Sequence, residues 1–327
     1  MPVHNEERYF DAALASLYHQ TLTDWELIVV DDGSTDATPA MLEAAHARDS
    51  RVRIIKNARQ GLVAALNAGL AACSAEIVAR MDGDDICHPE RFSLQYDYLA
   101  AHPDIDLVAC GFRHFPRSGL KQGMLAYEHW QNSLQSQELI MRDIFVESPF
   151  VHPSIMIRRS ALDGVGGYRE CGWPEDYDLW LRLAGSGTRF ARLPQVLFFW
   201  RDHPERSTRT LSAYSTDAFR RCKREHLLSG FLNNEKQVII AGAGNEGRAW
   251  GRLLQDSGIT VTCWIDVDPK KIGRLLHGAP VCPLTALKSA GSTKTIAAIG
   301  VRDGRRQFRA AAIDAGLEEF IDYVCVS

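Results

Sequence analysis

Two short segments of this chain run from apolar residues into clusters of aspartates. Residues 25–30 (WELIVV) lead directly into Asp31, and the largely apolar residues 75–79 are followed by Asp82, Asp84 and Asp85. An apolar, β-branched run of this length that stops at a polar turn is typical of a buried strand in a parallel sheet. In open α/β sheets, ligands bind beyond the carboxyl ends of the strands. The pattern therefore predicts an α/β fold with both groups of carboxylates at one site.

The second acidic cluster is costly to bury. Asp82, Asp84 and Asp85 supply three carboxylates within four residues. Their like charges repel each other and lose hydration at the end of a strand, and a divalent cation such as Mg²⁺ or Mn²⁺ would neutralise them. The alternative is an acidic turn that caps the helix starting near Pro89. Spacing alone does not separate the two.

A third acidic pair, Glu175 and Asp176, precedes a segment with helical periodicity. Leu179, Trp180 and Leu183 recur at the spacing of one helix face. The pair is therefore expected at a helix start, where the helix dipole favours negative charge. By itself, this placement fits acidic residues that only stabilise the helix N-terminus as well as it fits a catalytic role.

Five motifs in this order resemble glycosyltransferase family 2. They are P-V-H-N-E at residues 2–6, V-D-D-G-S-T-D at 30–36, Gly61 with A-L-N-A-G at 65–69, D-G-D-D at 82–85, and E-D at 175–176 followed by Leu179 and Arg182. The resemblance covers residues 1–205 approximately. It implies a GT-A fold, an inverting mechanism and a nucleotide-sugar donor held with Mg²⁺ or Mn²⁺.

The resemblance also implies roles for individual residues. Asp176 matches the family's catalytic base, which accepts the proton of the attacking sugar hydroxyl. Asp82 and Asp84 match the Asp-x-Asp motif that contacts ribose and metal, and Asp85 stands where some members have their main metal ligand. The other matches are contacts to the donor nucleotide. The base and ribose are contacted by Pro2, His4, Glu6 and Asp31, and the diphosphate is contacted by Arg201 and His203. A surface histidine in a polar loop is the alternative for His203.

The beginning of the chain departs from the family pattern. Family members have several apolar residues before the P-V-x-N-E motif, whereas Met1 already lies within it here. We therefore expect a truncated first strand. A start codon assigned too far downstream is the favoured explanation. The alternatives are that the chain was truncated, or that the fold tolerates a short first strand that exposes the edges of neighbouring strands.

Composition narrows the class of protein. A length of 327 residues predicts about two domains, and a net charge of −4 argues against general nucleic-acid binding. The eight cysteines include no C-x-x-C pair, so a disulfide framework or zinc site is not expected and a reducing cytoplasm is the simplest location. No apolar run approaches the roughly 20 residues needed to span a bilayer.

Two segments of the first domain leave alternatives open. Residues 112–149 contain a mixture of aromatic and polar side chains. Such a mixture fits an acceptor-sugar site and a solvated helical segment equally well. Residues 212–229 predict a basic amphipathic helix. Such a helix either rests peripherally on the inner face of the membrane or packs on its own domain.

We predict a GT-A domain at 1–229, a linker at 230–236 and a Rossmann-like domain at 237–327. After an apolar strand at 238–241, Gly242, Gly244 and Gly247 form a G-x-G-x-x-G motif with a helical segment behind it. The strand at 260–265 ends at Asp266, near the expected place of a ribose-binding acid. This segment resembles nucleotide-binding domains of sugar-modifying proteins in bacterial surface-polysaccharide pathways, but it lacks their Y-x-x-x-K signature. Binding of NAD or another nucleotide and a purely structural role both remain open.

Two functions follow from these features. The first is a metal-dependent inverting glycosyltransferase that moves a sugar from a nucleotide donor, a UDP-sugar by default, to a glycan or lipid-linked acceptor in bacterial cell-surface polysaccharide synthesis. The second is an NAD-dependent oxidoreductase or a nucleotide sensor that acts through the C-terminal domain. The complete set of carboxylates in the first domain favours the transferase.

Overall fold

The chain forms two compact units. The computed structural model describes residues 1–327, apart from the side chain of Ser207. The first unit comprises Met1–Met141 and Pro149–Leu211, and the second comprises Arg142–Ser148 and Ser212–Ser327. The boundary that we predicted at residue 229 differs from this division, because the helix before it belongs to the second unit.

The first unit contains two β-sheets flanked by helices. Its elements are β1 (Pro2–Val3), α1 (Phe10–Tyr18), β2 (Leu27–Asp32), α2 (Thr38–Arg48), β3 (Val52–Asn57), α3 (Leu62–Ala72), β4 (Ile77–Ala79), β5 (Ile86–Cys87), α4 (Arg91–Ala101), β6 (Leu107–Phe115), α5 (Gln122–Ser133), α6 (Gln137–Asp143), β7 (Ile155–Arg158), α7 (Arg159–Gly164), α8 (Glu175–Gly185), β8 (Phe190–Arg201) and α9 (Ser207–Thr210). A 3₁₀ turn at His152–Ser154 precedes β7.

The strands of the first unit form one parallel and one mixed sheet. One sheet is parallel with the order β1-β2-β3, and the other has the order β4-β7-β6-β8-β5. In the second sheet only β6 and β8 run parallel.

The mixed α/β architecture expected from the sequence is confirmed. The segment between 112 and 149 forms α5 and α6 after the end of β6, so its helical character is also confirmed.

Burial of β2 explains why its aspartates are fixed in place. All six residues of Leu27–Asp32 are buried, as expected for a strand covered on both faces. Helix α3 packs on this strand, and a Cβ atom added at Gly69 would lie 3.3 Å from Val30 Cγ2. The small side chain at Gly69 therefore lets the helix approach the strand closely.

The second unit is built on a mostly parallel sheet. Its elements are α10 (Thr216–Ser229), β9 (Gln237–Ala241), α11 (Asn245–Gln255), β10 (Thr260–Ile265), β11 (Leu275–Leu276), β12 (Ala279–Cys282), β13 (Thr295–Ala297), α12 (Arg302–Asp314) and β14 (Tyr323–Cys325), with 3₁₀ turns at Ser212–Tyr214 and Leu284–Ser289. The order is β11-β12-β10-β9-β13-β14, and only β11 and β12 pair antiparallel. A second α/β domain with a parallel sheet is thus present.

Helix α10 carries the basic residues for which the sequence left two alternatives open. Arg220 forms an ion pair with Glu246 at 2.6 Å, and the buried Lys223 ammonium donates to the carbonyls of Val146 and Val326 at 2.8 and 3.0 Å. Leu227 is fully buried in the core of the second unit. These side chains hold α10 on its own unit, which corrects the domain boundary. Among the described residues, no helix is long and apolar enough to cross a membrane.

Candidate active site

The loop between β4 and β5 brings three carboxylates together. One oxygen each of Asp82, Asp84 and Asp85 lies within 4.8 Å of the others. Asp85 is fully buried, and the side chain of Asp82 is 27% exposed. Burial, and next the negative charge of Asp84, raise the pKa of Asp85 well above its usual value. Burial also raises the pKa of Asp82, although the neighbouring Arg80 opposes this.

The donor set of this loop fits a hard divalent cation. Three carboxylates are the ligand type that Mg²⁺ and Mn²⁺ prefer. Among the described residues, Asp85 Oδ2 is buried and has no hydrogen-bond partner. An unsatisfied buried carboxylate oxygen is costly, and a bound cation would remove that cost.

The end of β8 contacts the same loop. The backbone N–H of Arg201 donates to Asp85 Oδ1 at 2.7 Å, and its guanidinium Nε donates to the carbonyl of Asp84 at 2.6 Å. The His203 ring lies between two carboxylates, with Nε2 2.8 Å from Asp84 Oδ2 and Nδ1 3.1 Å from Glu205 Oε2. The hydrogen bond with Asp84, and then that with Glu205, raise the pKa of His203. Arg201 and His203 thus contact the acidic loop, although more than a hundred residues separate them from it in the sequence.

The first residues of the chain border this loop from another side. A Cβ atom added at Gly83 would lie 2.9 Å from Val3 Cγ1 and 3.2 Å from Glu6 Cγ, so the loop passes directly over this segment. Burial, and next the charges of Asp84 and Asp82, raise the pKa of Glu6 to about 8. His4 Nδ1 lies 3.1 Å from the carbonyl of Asp32.

Asp31 lies on β2, next to β1 in the parallel sheet. Pro2 is paired with Val30, and Val3 with Asp31. The Asp31 carboxylate is buried, and its Oδ1 accepts the Ser34 N–H at 2.9 Å. This bond closes the turn after β2 and fixes the carboxylate at the strand end. Pro2, His4, Glu6 and Asp31 therefore lie on neighbouring segments.

Glu175 and Asp176 begin α8, so the predicted helix start is confirmed. The half-buried Asp176 accepts the Tyr177 N–H at 2.7 Å through Oδ1. Burial, and next the negative charge of Glu175, raise the pKa of Asp176 to about 8. A carboxyl group with a pKa near neutral pH is suited to take up a proton during a reaction.

Three side chains that the sequence analysis did not assign surround this pair, and one of them also pairs with the acidic loop. Buried Arg80 forms an ion pair with Asp82, and its positive charge acts on the carboxyl groups of both Glu175 and Asp176. His152 Nε2 lies 2.8 Å from the Tyr168 hydroxyl, and its Nδ1 lies 3.7 Å from Glu175 Oε1. An arginine two residues before an acidic cluster was a signal in the sequence that could have revealed the connection through Arg80.

Comparisons with known proteins assign the chain to a family. The model of the family described as glycosyl transferase family 2 matches residues 1–166. This chain belongs to that family. The amylovoran biosynthesis glycosyltransferase AmsE of Erwinia amylovora is 33% identical over 202 residues, which cover 60% of this chain and 72% of AmsE. The O-antigen biosynthesis glycosyltransferase WbnJ of Escherichia coli is 29% identical, with 71% of this chain and 91% of WbnJ covered.

The solved structures show the same fold. Residues 1–349 of S. aureus TarS, crystallised in complex with UDP-GlcNAc, match with a TM-score of 0.56 and 20% sequence identity. The match covers 71% of this chain and 65% of the TarS chain. The family 2 protein described here therefore has the GT-A fold, and it is a glycosyltransferase.

The glycine-rich loop of this family 2 protein's second unit lies between β9 and α11, as predicted. Gly242 has a φ of +104°, and a Cβ atom at Gly247 would overlap the carbonyl oxygen of Gly242 at 1.7 Å. Gly244 caps α11. The Asp266 carboxylate accepts the N–H groups of Ala243 and Asp268 at 2.8 and 2.9 Å and the Lys271 ammonium at 2.9 Å. A ribose hydroxyl would have to compete with these donors for Asp266.

Proposed function

We propose that this enzyme is an inverting, metal-dependent glycosyltransferase with Asp176 as its catalytic base. The observation that carries the proposal is the position of Arg80. Its guanidinium is paired with Asp82 of the acidic loop, and its charge also acts on Asp176. The proposed base and the proposed donor site are therefore close enough to interact electrostatically.

The reaction would be a single displacement. The carboxylate of Asp176 accepts the proton of an acceptor hydroxyl while that oxygen forms a bond to the anomeric carbon of the donor sugar. The bond between the anomeric carbon and the diphosphate oxygen breaks, and its electron pair stays on the leaving diphosphate. Because attack and departure occur on opposite sides, the configuration at the anomeric carbon inverts. General base catalysis of this kind contributes about 10²–10⁴-fold to the rate.

Residues of the acidic loop and of the end of β8 would handle the donor diphosphate. Asp82, Asp84 and Asp85 would hold Mg²⁺ or Mn²⁺, which supplies charge neutralisation of the leaving group when bound. Arg201 and His203 would add positive charge there, since the hydrogen bond with Asp84 favours the protonated imidazole. Pro2, His4, Glu6 and Asp31 would border the base and ribose of the nucleotide.

The substrates proposed rest on the relatives. AmsE and WbnJ are named for amylovoran and O-antigen biosynthesis, and the TarS structure contains UDP-GlcNAc. We infer a UDP-sugar donor and a glycan or lipid-linked acceptor in bacterial cell-surface polysaccharide synthesis. Such a reaction would take place in the cytoplasm, with peripheral contact at the inner face of the membrane where the acceptor is lipid-linked.

Binding of the donor class can be measured by thermal unfolding. With UDP and Mn²⁺ together at about 100 times Kd, we expect the Tm to rise by about 5 °C, since a ligand that binds only the folded state stabilises it by about 2.7 kcal/mol. Asp85→Asn should reduce this shift because it removes a metal ligand. Asp266→Asn in the second unit is the matched control and should leave it unchanged. A shift with NAD alone, indifferent to Mn²⁺, would instead support a function of the C-terminal domain.

The raised pKa of Asp176 predicts the pH dependence of transfer. A base must be deprotonated to act, so kcat/KM should rise about tenfold per pH unit below pH 8 and level off above it. Glu175→Gln removes the negative neighbour and should move the midpoint to lower pH. Initial rates between pH 6 and 9 measure both effects. A flat profile in the unaltered enzyme would contradict the proposed base.

A further inference from the structure

Two aromatic rings contact the guanidinium of Arg201, at the end of β8. Its Cζ atom lies 4.5 Å from the ring centroid of Tyr9 and 4.5 Å from that of Phe115. The face of an aromatic ring attracts a cation, and the flat guanidinium stacks well on such a face. The two rings therefore restrict the positions that the Arg201 side chain can take.

The hydrogen bonds of Arg201 hold one edge of the guanidinium and leave the other open. Nε donates to the carbonyl of Asp84 at 2.6 Å, and the backbone N–H donates to Asp85 Oδ1 at 2.7 Å. Within the part of the chain that the structure describes, no group accepts a hydrogen bond from the two Nη atoms. The fork of N–H groups on these atoms matches two oxygens of a phosphate.

Tyr9 contacts a second cationic side chain in this region. The centroids of the Tyr9 and His203 rings are 5.1 Å apart, and their planes meet at 48°. The His203 side chain is 11% exposed, and its Nε2 lies 2.8 Å from Asp84 Oδ2. The same aromatic ring thus contacts both side chains that we assign to the donor diphosphate.

The turn before helix α1 fixes Tyr9 in place. The N–H groups of Tyr9 and Phe10 both donate to the carbonyl of Glu6 at 3.0 Å. Phe10 is fully buried in the core of the first unit, and the half-buried Tyr9 stands at the N-cap position of α1. The ring of Tyr9 is therefore anchored on the segment that we place beside the base and ribose.

We propose that Tyr9 is a positioning residue that holds Arg201 and His203 ready for the donor diphosphate. The proposal rests on the proposed function. A side chain that is held against a ring before the donor arrives loses less conformational entropy when it binds the phosphates. Both cationic side chains contact the ring of Tyr9, so the ring and not the hydroxyl carries this role.

Three variants test the role of the ring. Tyr9→Leu removes it, Tyr9→Phe keeps it, and Tyr96→Leu makes the same change at a 43% exposed tyrosine of α4. In the presence of Mn²⁺, we expect Tyr9→Leu to raise the Kd of UDP about 3–30-fold, which corresponds to the strength of a cation–π contact.

Uridine gives the reference for binding without phosphates. Tyr9→Leu should change the Kd of uridine less than about twofold, and the other two variants should change neither Kd by more than that. Titration calorimetry measures binding of UDP, and NMR titration measures binding of uridine. An equal loss of affinity for uridine and UDP would overturn the proposal, because Tyr9 would then only support the fold. So would a Tyr9→Phe variant that binds UDP as weakly as Tyr9→Leu.

A background without the two cationic groups isolates what the ring does through them. When Arg201→Met and His203→Gln are combined, adding Tyr9→Leu should change the remaining affinity for UDP less than about twofold, because the ring has no cation left to position. The full 3–30-fold loss of affinity in this background would also overturn the proposal.

Failure of the proposed function would give a different result. If the unaltered enzyme binds no UDP, the proposed donor class is wrong, and inorganic diphosphate with Mn²⁺ becomes the probe for the same variants. The role of Tyr9 still predicts about 3–30-fold weaker binding in Tyr9→Leu than in Tyr9→Phe. Equal Kd values for the two variants, or no binding of inorganic diphosphate to the unaltered enzyme, would overturn that role.

Discussion

Asp176→Asn should lower kcat by about 10²–10⁴-fold, the range that a positioned general base contributes. Asparagine keeps the size of the side chain and can still accept the Tyr177 N–H through its amide oxygen. It cannot take up the acceptor proton. Since burial already disfavours the charged form of Asp176, the neutral substitute should fold as well as the unaltered enzyme.

Measuring donor binding and turnover together distinguishes the base from a structural residue. The thermal shift with UDP and Mn²⁺ should be unchanged in Asp176→Asn while transfer is lost. Asp163→Asn, at a 58% exposed carboxylate, is the matched control and should leave both unchanged. Near-normal turnover in Asp176→Asn would remove this residue from the mechanism.

Arg91→Met should destabilise the first unit by about 2–6 kcal/mol, since it leaves two buried acceptors unsatisfied and each costs about 1–3 kcal/mol. The Arg91 side chain is fully buried. Its Nη2 donates to the carbonyls of Arg80 and Ile155, both at 3.0 Å, and its Nε donates to Gln95 Oε1 at 3.0 Å. Methionine fills much of the same volume but leaves the carbonyl of Arg80 and Gln95 Oε1 without this donor, whereas the carbonyl of Ile155 keeps the N–H of Arg80.

Denaturant unfolding measures this loss as a lower midpoint. Arg189→Met provides the matched control, because Arg189 and its partner Asp104 are both more than half exposed. An exposed ion pair of that kind contributes at most about 1 kcal/mol. Equal midpoints for the two variants would show that the carbonyl contacts of Arg91 contribute little to stability.

Local sequence patterns predicted the parts of the site that depend on neighbouring residues. The apolar run before Asp31 predicted a buried strand, and β2 ends at Asp32 with all its residues buried. Helical spacing after Glu175 and Asp176 predicted a helix start, and α8 begins at Glu175. Both patterns are periodic within one element, so no distant contact was needed to recognise them.

The domain division depended on contacts that no local pattern displays. The basic residues of α10 suggested a solvated or membrane-facing surface at the end of the first domain. Instead, Lys223 is buried and donates to carbonyls of Val146 and Val326, 77 and 103 residues away in the chain. A lysine on a helix face has the same sequence signature whether its ammonium meets water or carbonyl groups.

The sequence by itself determined the family, the α/β fold class and the positions of the carboxylates, because motifs and periodicity are properties of short segments. Only the tertiary structure showed that Arg80 is paired with Asp82 while its charge also acts on Asp176, and that His203 meets Asp84 across 119 residues. The physical reason is that burial and pKa shifts arise from side chains and backbone groups that meet only when distant segments pack together.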